Sequence, residues 1–192
     1  MSEASPVAAM FVAHDLALDF INSAYGPENA PVEVLVDDQA VIDWLATAGV
    51  LEAGSVQAPT GVRALAIALR DEARDLLQAA QAGRPPRAMV VNRVLEKGRP
   101  IVQLAAAPGS AVPMLVERRR DDSAESLLEP IATALGQLLS GGDLAHVRAC
   151  EAHDCTLLFH DTTKSRKRRW CSMAQCGNRM KVAAYRSRRQ GG

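Results

Sequence analysis

Aromatic side chains are scarce in this chain. Its 192 residues include two tryptophans, two tyrosines and three phenylalanines, although 48% of the residues are hydrophobic. Aliphatic side chains and alanine must therefore fill the core, and such a composition favours helices over sheets. The length predicts one globular domain, or one domain with a small addition.

Long apolar runs and a basic leader are also missing. No hydrophobic stretch reaches the roughly 18 residues that a membrane-spanning helix requires. The first fifteen residues contain no lysine or arginine, whereas a secretory signal opens with a basic segment. We therefore expect a cytoplasmic protein that does not enter membranes.

Common catalytic motifs are absent from the sequence as well. The chain contains no Gly-x-Ser-x-Gly nucleophile elbow, no phosphate-binding P-loop and no Gly-x-Gly-x-x-Gly dinucleotide fingerprint. We expect that the chain is not an enzyme.

The net charge of zero conceals two segments of opposite charge. Residues 1–145 contain 19 acidic and 11 basic residues, a balance of −8, and residues 146–192 contain 3 acidic and 11 basic residues, a balance of +8. This asymmetry places a domain boundary near residue 145 and predicts that residues 146–192 bind an anionic partner.

The first domain, residues 1–145, is predicted to be mainly α-helical with one small β-hairpin. Apolar residues recur at helical spacing in the stretches 14–26, 37–49, 60–83, 86–98 and 122–142. Thr60 is predicted to cap the third helix, and Asp122 with Glu125 matches a capping box for the fifth. Two short apolar runs around Pro108-Gly109 predict the hairpin.

All four cysteines lie in the second domain, as two pairs with the spacing Cys-x4-Cys-x15-Cys-x4-Cys: Cys150, Cys155, Cys171 and Cys176. Four thiolates suit a tetrahedral zinc ion and leave no open coordination position. In the reducing cytosol, clustered thiols bind metal more often than they form disulfides. We therefore predict one structural Zn²⁺; disulfides or free thiols are the alternatives.

The fifteen residues between the cysteine pairs are long enough for a hairpin, with predicted strands at 156–160 and 166–170. Gly177 is predicted to adopt a left-handed turn, and a helix follows it. Met180, Ala183 and Ala184 would pack this helix on the hairpin. The second domain is thus predicted to be a small zinc finger built from a β-hairpin and a helix.

Cationic residues flank the cysteines on both sides. A zinc tetrathiolate accounts for only a few of them, so the remainder predicts a nucleic-acid surface, most simply for duplex DNA. The residues predicted to contact phosphate are Lys164, Arg166, Lys167, Arg168, Arg169, Arg179, Lys181, Arg186, Arg188 and Arg189. A homodimer would lengthen the short footprint of one finger.

Two alternatives to DNA binding remain open from the sequence. In the first, Trp170 and Tyr185 stack on the bases of an RNA. In the second, the basic domain docks on an acidic protein, or on the acidic first domain of its own chain.

A small-molecule effector site is a further hypothesis. Asp15, Asp19 and Asn22 share one stripe of the first predicted helix and could hold a ligand. The simpler alternative is that Asp15 caps the helix and that Asp19 and Asn22 bond to nearby backbone.

The stretch from Cys150 to Arg188 resembles the CGNR zinc finger family, which takes its name from the tetrapeptide at Cys176-Gly177-Asn178-Arg179. The segments LALDFINS and AVIDWLATAGVL resemble the ABATE domain that precedes this finger in bacterial proteins, with Ser23 where that pattern has threonine. The resemblance implies a stress-linked transcriptional regulator with a helical N-terminal domain and a DNA-binding finger.

Overall fold

Helices predominate in the structure, a computed structural model that describes residues 9–27, 30–106, 109, 112–141 and 144–190. The helices are α1 (Leu16–Ile21), α2 (Asp38–Thr47), α3 (Val62–Gln81), α4 (Met89–Gly98), α5 (Ala124–Ser140) and α6 (Asn178–Gln190). The strands are β1 (Ala24–Tyr25), β2 (Val32–Glu33), β3 (Ile101–Ala106), β4 (Pro113–Arg118), β5 (Val147–Ala149) and β6 (Leu158–His160). This architecture confirms the predicted fold class.

Helices α1 and α5 form the centre of the molecule. Leu18, Phe20 and Ile21 of α1 are buried, and the edge of the Phe20 ring lies against Trp44 with ring centroids 5.4 Å apart. Helix α5 contacts α1, α3 and α4 and buries one apolar stripe at helical spacing. The first domain therefore packs around two helices that are far apart in sequence.

The start of α3 is held by a neighbouring helix. The predicted Thr60 cap is wrong, because Gly61 occupies the cap position with a left-handed φ of 85° and no side-chain cap bond forms. The Asp38 carboxylate at the start of α2 accepts hydrogen bonds from the amides of Gly61 and Arg63 instead. A distant carboxylate thus satisfies the free amides of the first turn.

Helix α5 begins one residue later than the capping box predicted. Ser123 is the cap, and its hydroxyl accepts a hydrogen bond from the Ser126 amide. Asp122 pairs instead with Arg119 at 2.7 Å. Pro130 lies inside the helix, where it has no amide hydrogen to donate to the carbonyl one turn earlier.

Strands β3 and β4 form the predicted hairpin around Gly109. Leu104 lies opposite Leu115 and Val102 opposite Glu117 in the antiparallel register. Leu104 and Leu115 are exposed, so this face of the hairpin points to solvent.

The hairpin of the second domain uses a different pair of strands from the predicted one. Strand β6 pairs with β5, which precedes the first cysteine, and Val147 lies opposite His160. Residues 166–170 are not a strand, although the Arg169 carbonyl accepts a hydrogen bond from the Glu151 amide. The first cysteine pair therefore lies within the connection between β5 and β6.

The two domains share one hydrophobic core. Leu157 and Phe159 of the second domain belong to the same buried cluster as Leu18 and Ile21. The free edge of β6 is covered by the first domain, because the His160 amide donates to the Ala13 carbonyl at 2.9 Å. Covering an exposed strand edge in this way protects it from other pairing.

Asn22 completes this shared edge. Its side-chain amide donates to the Leu158 carbonyl at 2.8 Å and accepts from the Leu158 amide at 2.9 Å. The side chain thereby replaces the backbone of a neighbouring strand. The Gly26 amide adds a hydrogen bond to the Thr156 hydroxyl at 3.1 Å.

A buried ion pair fixes the short β1–β2 ribbon to α3. Arg70 is buried and forms two hydrogen bonds with the Glu33 carboxylate, at 2.6 and 2.8 Å. The guanidinium also donates to the hydroxyl of Ser23 at 3.0 Å, a bond that a threonine hydroxyl at this position would also accept. Desolvation raises the pKa of Glu33, but the hydrogen bonds from Arg70 and the Leu35 amide, with the charges of nearby arginines, together outweigh it and leave the pKa below its usual value.

None of the described helices has the length and apolar character needed to cross a lipid bilayer.

Candidate metal centre and basic surface

The four cysteines are carried by four different local structures. Cys150 follows β5, Cys155 lies in the turn before β6, Cys171 follows the basic loop (residues 162–170), and Cys176 lies in a π-helical turn, Met173–Gly177. Ser172 caps that turn through a hydrogen bond from the Gln175 amide. Four separate segments thus bring their cysteine side chains to the same place.

The thiols meet at a spacing that fits a metal ion. All four Sγ atoms lie within 4.8 Å of one another. The Cys171 Sγ lies 3.6 Å from that of Cys176 and 3.8 Å from that of Cys155. A tetrahedron with metal–sulfur bonds of about 2.3 Å has edges of about 3.8 Å. The four cysteines form no disulfide, and their spacing suits one tetrahedral metal ion.

The thiols influence one another strongly. Hydrogen bonding with Cys171 lowers the pKa of Cys155 to about 5. The same hydrogen bond, with burial, raises the pKa of Cys171. Burial raises the pKa of Cys176 to about 11. Since the four thiols cannot all ionise in one small volume, a bound dication is required to hold four thiolates together.

Arg179 connects the metal site to its surroundings. Its guanidinium forms two hydrogen bonds of 2.7 Å with the Asp154 carboxylate and donates to the Cys176 Sγ at 3.6 Å. The Cys171 amide donates to the Cys150 Sγ at 3.3 Å. Donors of this kind stabilise thiolates. Arg179, predicted as a phosphate contact, is therefore engaged at the metal centre.

Gly177 is required for space. Its φ is not positive, so the predicted left-handed turn is wrong. A Cβ at this position would lie 2.6 Å from the Met173 Sδ and 3.0 Å from the Trp170 Cδ1. The π-helical turn brings its own first residue onto the glycine, so a side chain at this position would have to displace the Met173 thioether.

Asp161 organises the basic loop. The carboxylate is fully buried and accepts hydrogen bonds from the Thr163 hydroxyl and amide and from the Arg168 amide, at 2.6, 3.0 and 2.9 Å. Burial raises the pKa of Asp161, but these donors outweigh it and lower the pKa to about 2. The loop is therefore held by a charge that persists at any physiological pH.

Arg168 connects the basic loop to the first domain. Its guanidinium donates to the carbonyl oxygens of Val12, Trp170 and Cys171, and it lies over the Phe159 ring, 4.3 Å from the centroid. The Arg166 guanidinium donates to the carbonyl of Asp161. Of the predicted phosphate contacts, Arg168 is the half-buried one that joins the domains.

The other predicted cations lie at the surface. Lys164, Arg166, Lys167 and Arg169 of the basic loop are exposed, as are Lys181, Arg186 and Arg189 of α6. Arg169 pairs with Glu151 at 2.5 Å. The side chain of Arg188 lies outside the described residues.

Trp170 and Tyr185, the rings considered for base stacking, are partly covered. The Arg169 guanidinium lies over Trp170 at 4.8 Å and that of Arg189 over Tyr185 at 5.7 Å. Met180 packs against the core as predicted, whereas Ala183 is exposed, so that part of the packing prediction is wrong. The side chain of Ala184, the third residue of that prediction, lies outside the described ones.

The three residues proposed as an effector site have partners within the protein. Asp15 caps α1, and the Asp19 carboxylate accepts hydrogen bonds from the amides of Val12 and Ala13, both at 2.9 Å. Burial raises the pKa of Asp19 in spite of these bonds. Asn22 forms hydrogen bonds with backbone, as the simpler alternative predicted. Its partner, however, is Leu158 in the other domain and not nearby backbone.

Sequence reasoning missed Asp154, Asp161 and Arg148. Asp154 lies 25 residues from its arginine, and Arg148 donates to the Arg168 carbonyl at 3.2 Å across 20 residues. No pattern in the neighbouring sequence predicts pairs of residues that are so far apart. Asp161 offered one signal, because it is the one acidic residue between the two cysteine pairs.

Comparison with known families now identifies both parts. A family model described as "Putative stress-induced transcription regulator", ABATE, matches residues 14–142, about two thirds of the chain. The chain belongs to the ABATE family. The model of the CGNR zinc finger matches residues 146–189 of this ABATE protein. None of the curated proteins matches the chain.

Proposed function

We propose that this ABATE protein regulates transcription by binding duplex DNA through the cationic side chains around one zinc ion. Cys150, Cys155, Cys171 and Cys176 hold the ion, and its filled coordination sphere makes the ion structural rather than catalytic. That the chain is not an enzyme is part of the same proposal. The family description supports regulation.

The position of the metal between two basic segments carries the proposal. Cys171 directly follows the basic loop, and Cys176 lies two residues before α6. The metal therefore fixes both segments relative to each other, which a phosphate-binding surface needs. Arg168 and Arg179 position this surface, and the exposed cations contact phosphate.

Duplex DNA is favoured over single-stranded RNA by the aromatic rings. Base stacking needs a free ring face, and guanidinium groups already lie over Trp170 and Tyr185. Arginine and lysine around a rigid scaffold suit the regular phosphates of a duplex.

The test is binding of the full-length, zinc-loaded chain to a random-sequence duplex, measured by fluorescence anisotropy over a potassium chloride series. The logarithm of the affinity should fall linearly with the logarithm of the salt concentration. The double variant Lys181→Ala/Arg186→Ala should reduce that slope by about 2.

A matched control removes the same charge from the first domain. Arg84→Ala/Arg87→Ala changes two exposed arginines between α3 and α4 and should leave the slope unchanged. Equal effects of the two double variants would show that general charge attraction is being measured. Tighter binding of a duplex RNA of the same length would favour the RNA alternative.

A further inference from the structure

A cleft of about 710 Å³ lies between the first domain and the basic loop. One wall is formed by the segment that leads into α1, including Phe11 and His14, and the other by the basic loop and the residues after Cys171. Its volume lies within the range of small-molecule sites. Two of its lining residues, Lys167 and Arg169, are also among the cations proposed above to contact DNA phosphate.

The polar part of the lining suits a phosphate group. Lys167 and Arg169 supply positive charge, although the Arg169 guanidinium also pairs with Glu151 at 2.5 Å. Thr162, Ser165 and Ser172 supply hydroxyl groups. An ammonium and a guanidinium with nearby hydroxyls are the donors that phosphate oxygens accept.

The apolar part of the lining suits a planar ring. Phe11 and Met173 line the cleft and are 39% and 50% exposed, although Phe11 also packs against Trp44 with ring centroids 5.3 Å apart. Trp170 forms part of the same wall. Exposed apolar side chains beside cations provide both parts of a site for a ring that carries a phosphate.

The backbone around the cleft is strained. His14 and Arg166 are the two non-glycine residues with positive φ in the described part of the chain, at 59° and 49°. His14 lines the cleft, and Arg166 lies between the lining residues Ser165 and Lys167. Such backbone persists where surrounding structure enforces it, and it concentrates at binding sites.

We infer that this cleft binds a nucleotide, with its phosphate on Lys167 and Arg169 and its base against Phe11 and Met173. The occupant would contact both domains, since Phe11 belongs to the first and the cations to the second. A nucleotide is therefore placed to act as the effector of the regulator. The effector role rests on the proposed function, whereas nucleotide binding itself is measured without DNA.

Isothermal titration calorimetry with the full-length, zinc-loaded chain tests this inference. The probes are the common ribonucleoside mono- and diphosphates, with inorganic phosphate and adenosine as half-ligands. At least one nucleotide should bind saturably, and both half-ligands should bind at least about tenfold more weakly, because each reaches only one part of the cleft.

Two lysines of the basic loop provide a matched pair. Lys167→Ala should weaken nucleotide binding about tenfold, because this side chain lines the cleft. Lys164→Ala removes the same charge from the same loop outside the cleft and should leave nucleotide binding unchanged. Both side chains are exposed, so both variants should keep their helical circular dichroism and zinc content.

Three outcomes would overturn the inference. Equal weakening by the two lysine variants would indicate attraction to the whole basic loop. Inorganic phosphate binding as tightly as every nucleotide would remove the role of the apolar wall. Absence of saturable binding by all the nucleotides up to millimolar concentration would remove the site.

Discussion

Gly98 lies where α4 meets the first turn of α5. A Cβ at this position would overlap the Glu125 carbonyl, 2.7 Å from its carbon, and would lie 2.9 Å from the Glu129 Cβ. These are backbone and near-backbone atoms that cannot move aside independently. The two helices therefore approach each other at a distance that glycine alone permits.

We predict that Gly98→Ala lowers the free energy of unfolding by about 3 kcal/mol, since overpacking against backbone cannot relax. Urea denaturation of the zinc-loaded chain measures the change. Gly136→Ala is the control, because nothing lies within 4 Å of a Cβ there and Gly136 is inside α5.

The control substitution should stabilise the chain by about 0.5–1 kcal/mol through helix propensity. A similar loss of stability for both variants would mean that the close approach of α4 and α5 is not responsible. At Gly177 the cost should be smaller, because the Met173 thioether can move.

At the scale of single elements, α1 and β6 form the junction of the two domains. Asn22 ends α1 and satisfies both backbone groups of Leu158. A strand edge normally forms such bonds with the backbone of another strand, and here one side-chain amide takes the place of that backbone.

We predict that Asn22→Ala lowers the free energy of unfolding by about 2–3 kcal/mol, because it leaves a donor and an acceptor of Leu158 unpaired. Hydrogen exchange of the Leu158 amide should accelerate correspondingly. Asn92→Ala makes the same chemical change on the exposed face of α4 and should have little effect. Unchanged exchange at Leu158 in the Asn22 variant would contradict the assigned role.

Much of the fold could be predicted from local patterns, and the exceptions have a common cause. The helices followed from apolar spacing, and the metal ligands from the cysteine spacing. Errors arose where a partner outside the local pattern decided the outcome. Asp38 replaces the Thr60 cap, and β5 displaces residues 166–170 as the partner of β6. Neither the sequence next to Thr60 nor the sequence of β6 itself indicates which residues these partners are.

The molecule as a whole has one core that includes the metal site. Cys150, Cys171 and Cys176 belong to the same buried cluster as Leu18 and Leu135. Structural zinc in finger peptides contributes about 10–16 kcal/mol at neutral pH, which matches the entire stability of a typical domain, about 5–15 kcal/mol. Loss of metal should therefore reach beyond the finger.

We predict that chelation of zinc weakens the first domain as well as the second. Amide hydrogens in the middle of α3 and α5 should exchange at least about tenfold faster after chelation, because the apolar surface under β6 becomes exposed. Cys155→Ser, measured without chelator, provides a second route to the metal-free state. Unchanged protection of α3 and α5 in both cases would mean that the two domains are energetically independent.

The hydrogen bonds at the junction of α1 and β6, here called the seam, have a consequence for which sequence changes the protein can accept. The hydrogen bonds across it meet the backbone of Leu158 and His160, which every amino acid except proline supplies. The side chains of Leu158 and His160 can consequently change while these hydrogen bonds persist, whereas Phe159 between them is buried in the shared core. An insertion or deletion between residues 149 and 158 would instead shift the strand relative to its partner. Hybrid proteins in which one zinc finger replaces another should therefore tolerate substitutions at Leu158 and His160 far better than a change in the number of residues between 149 and 158.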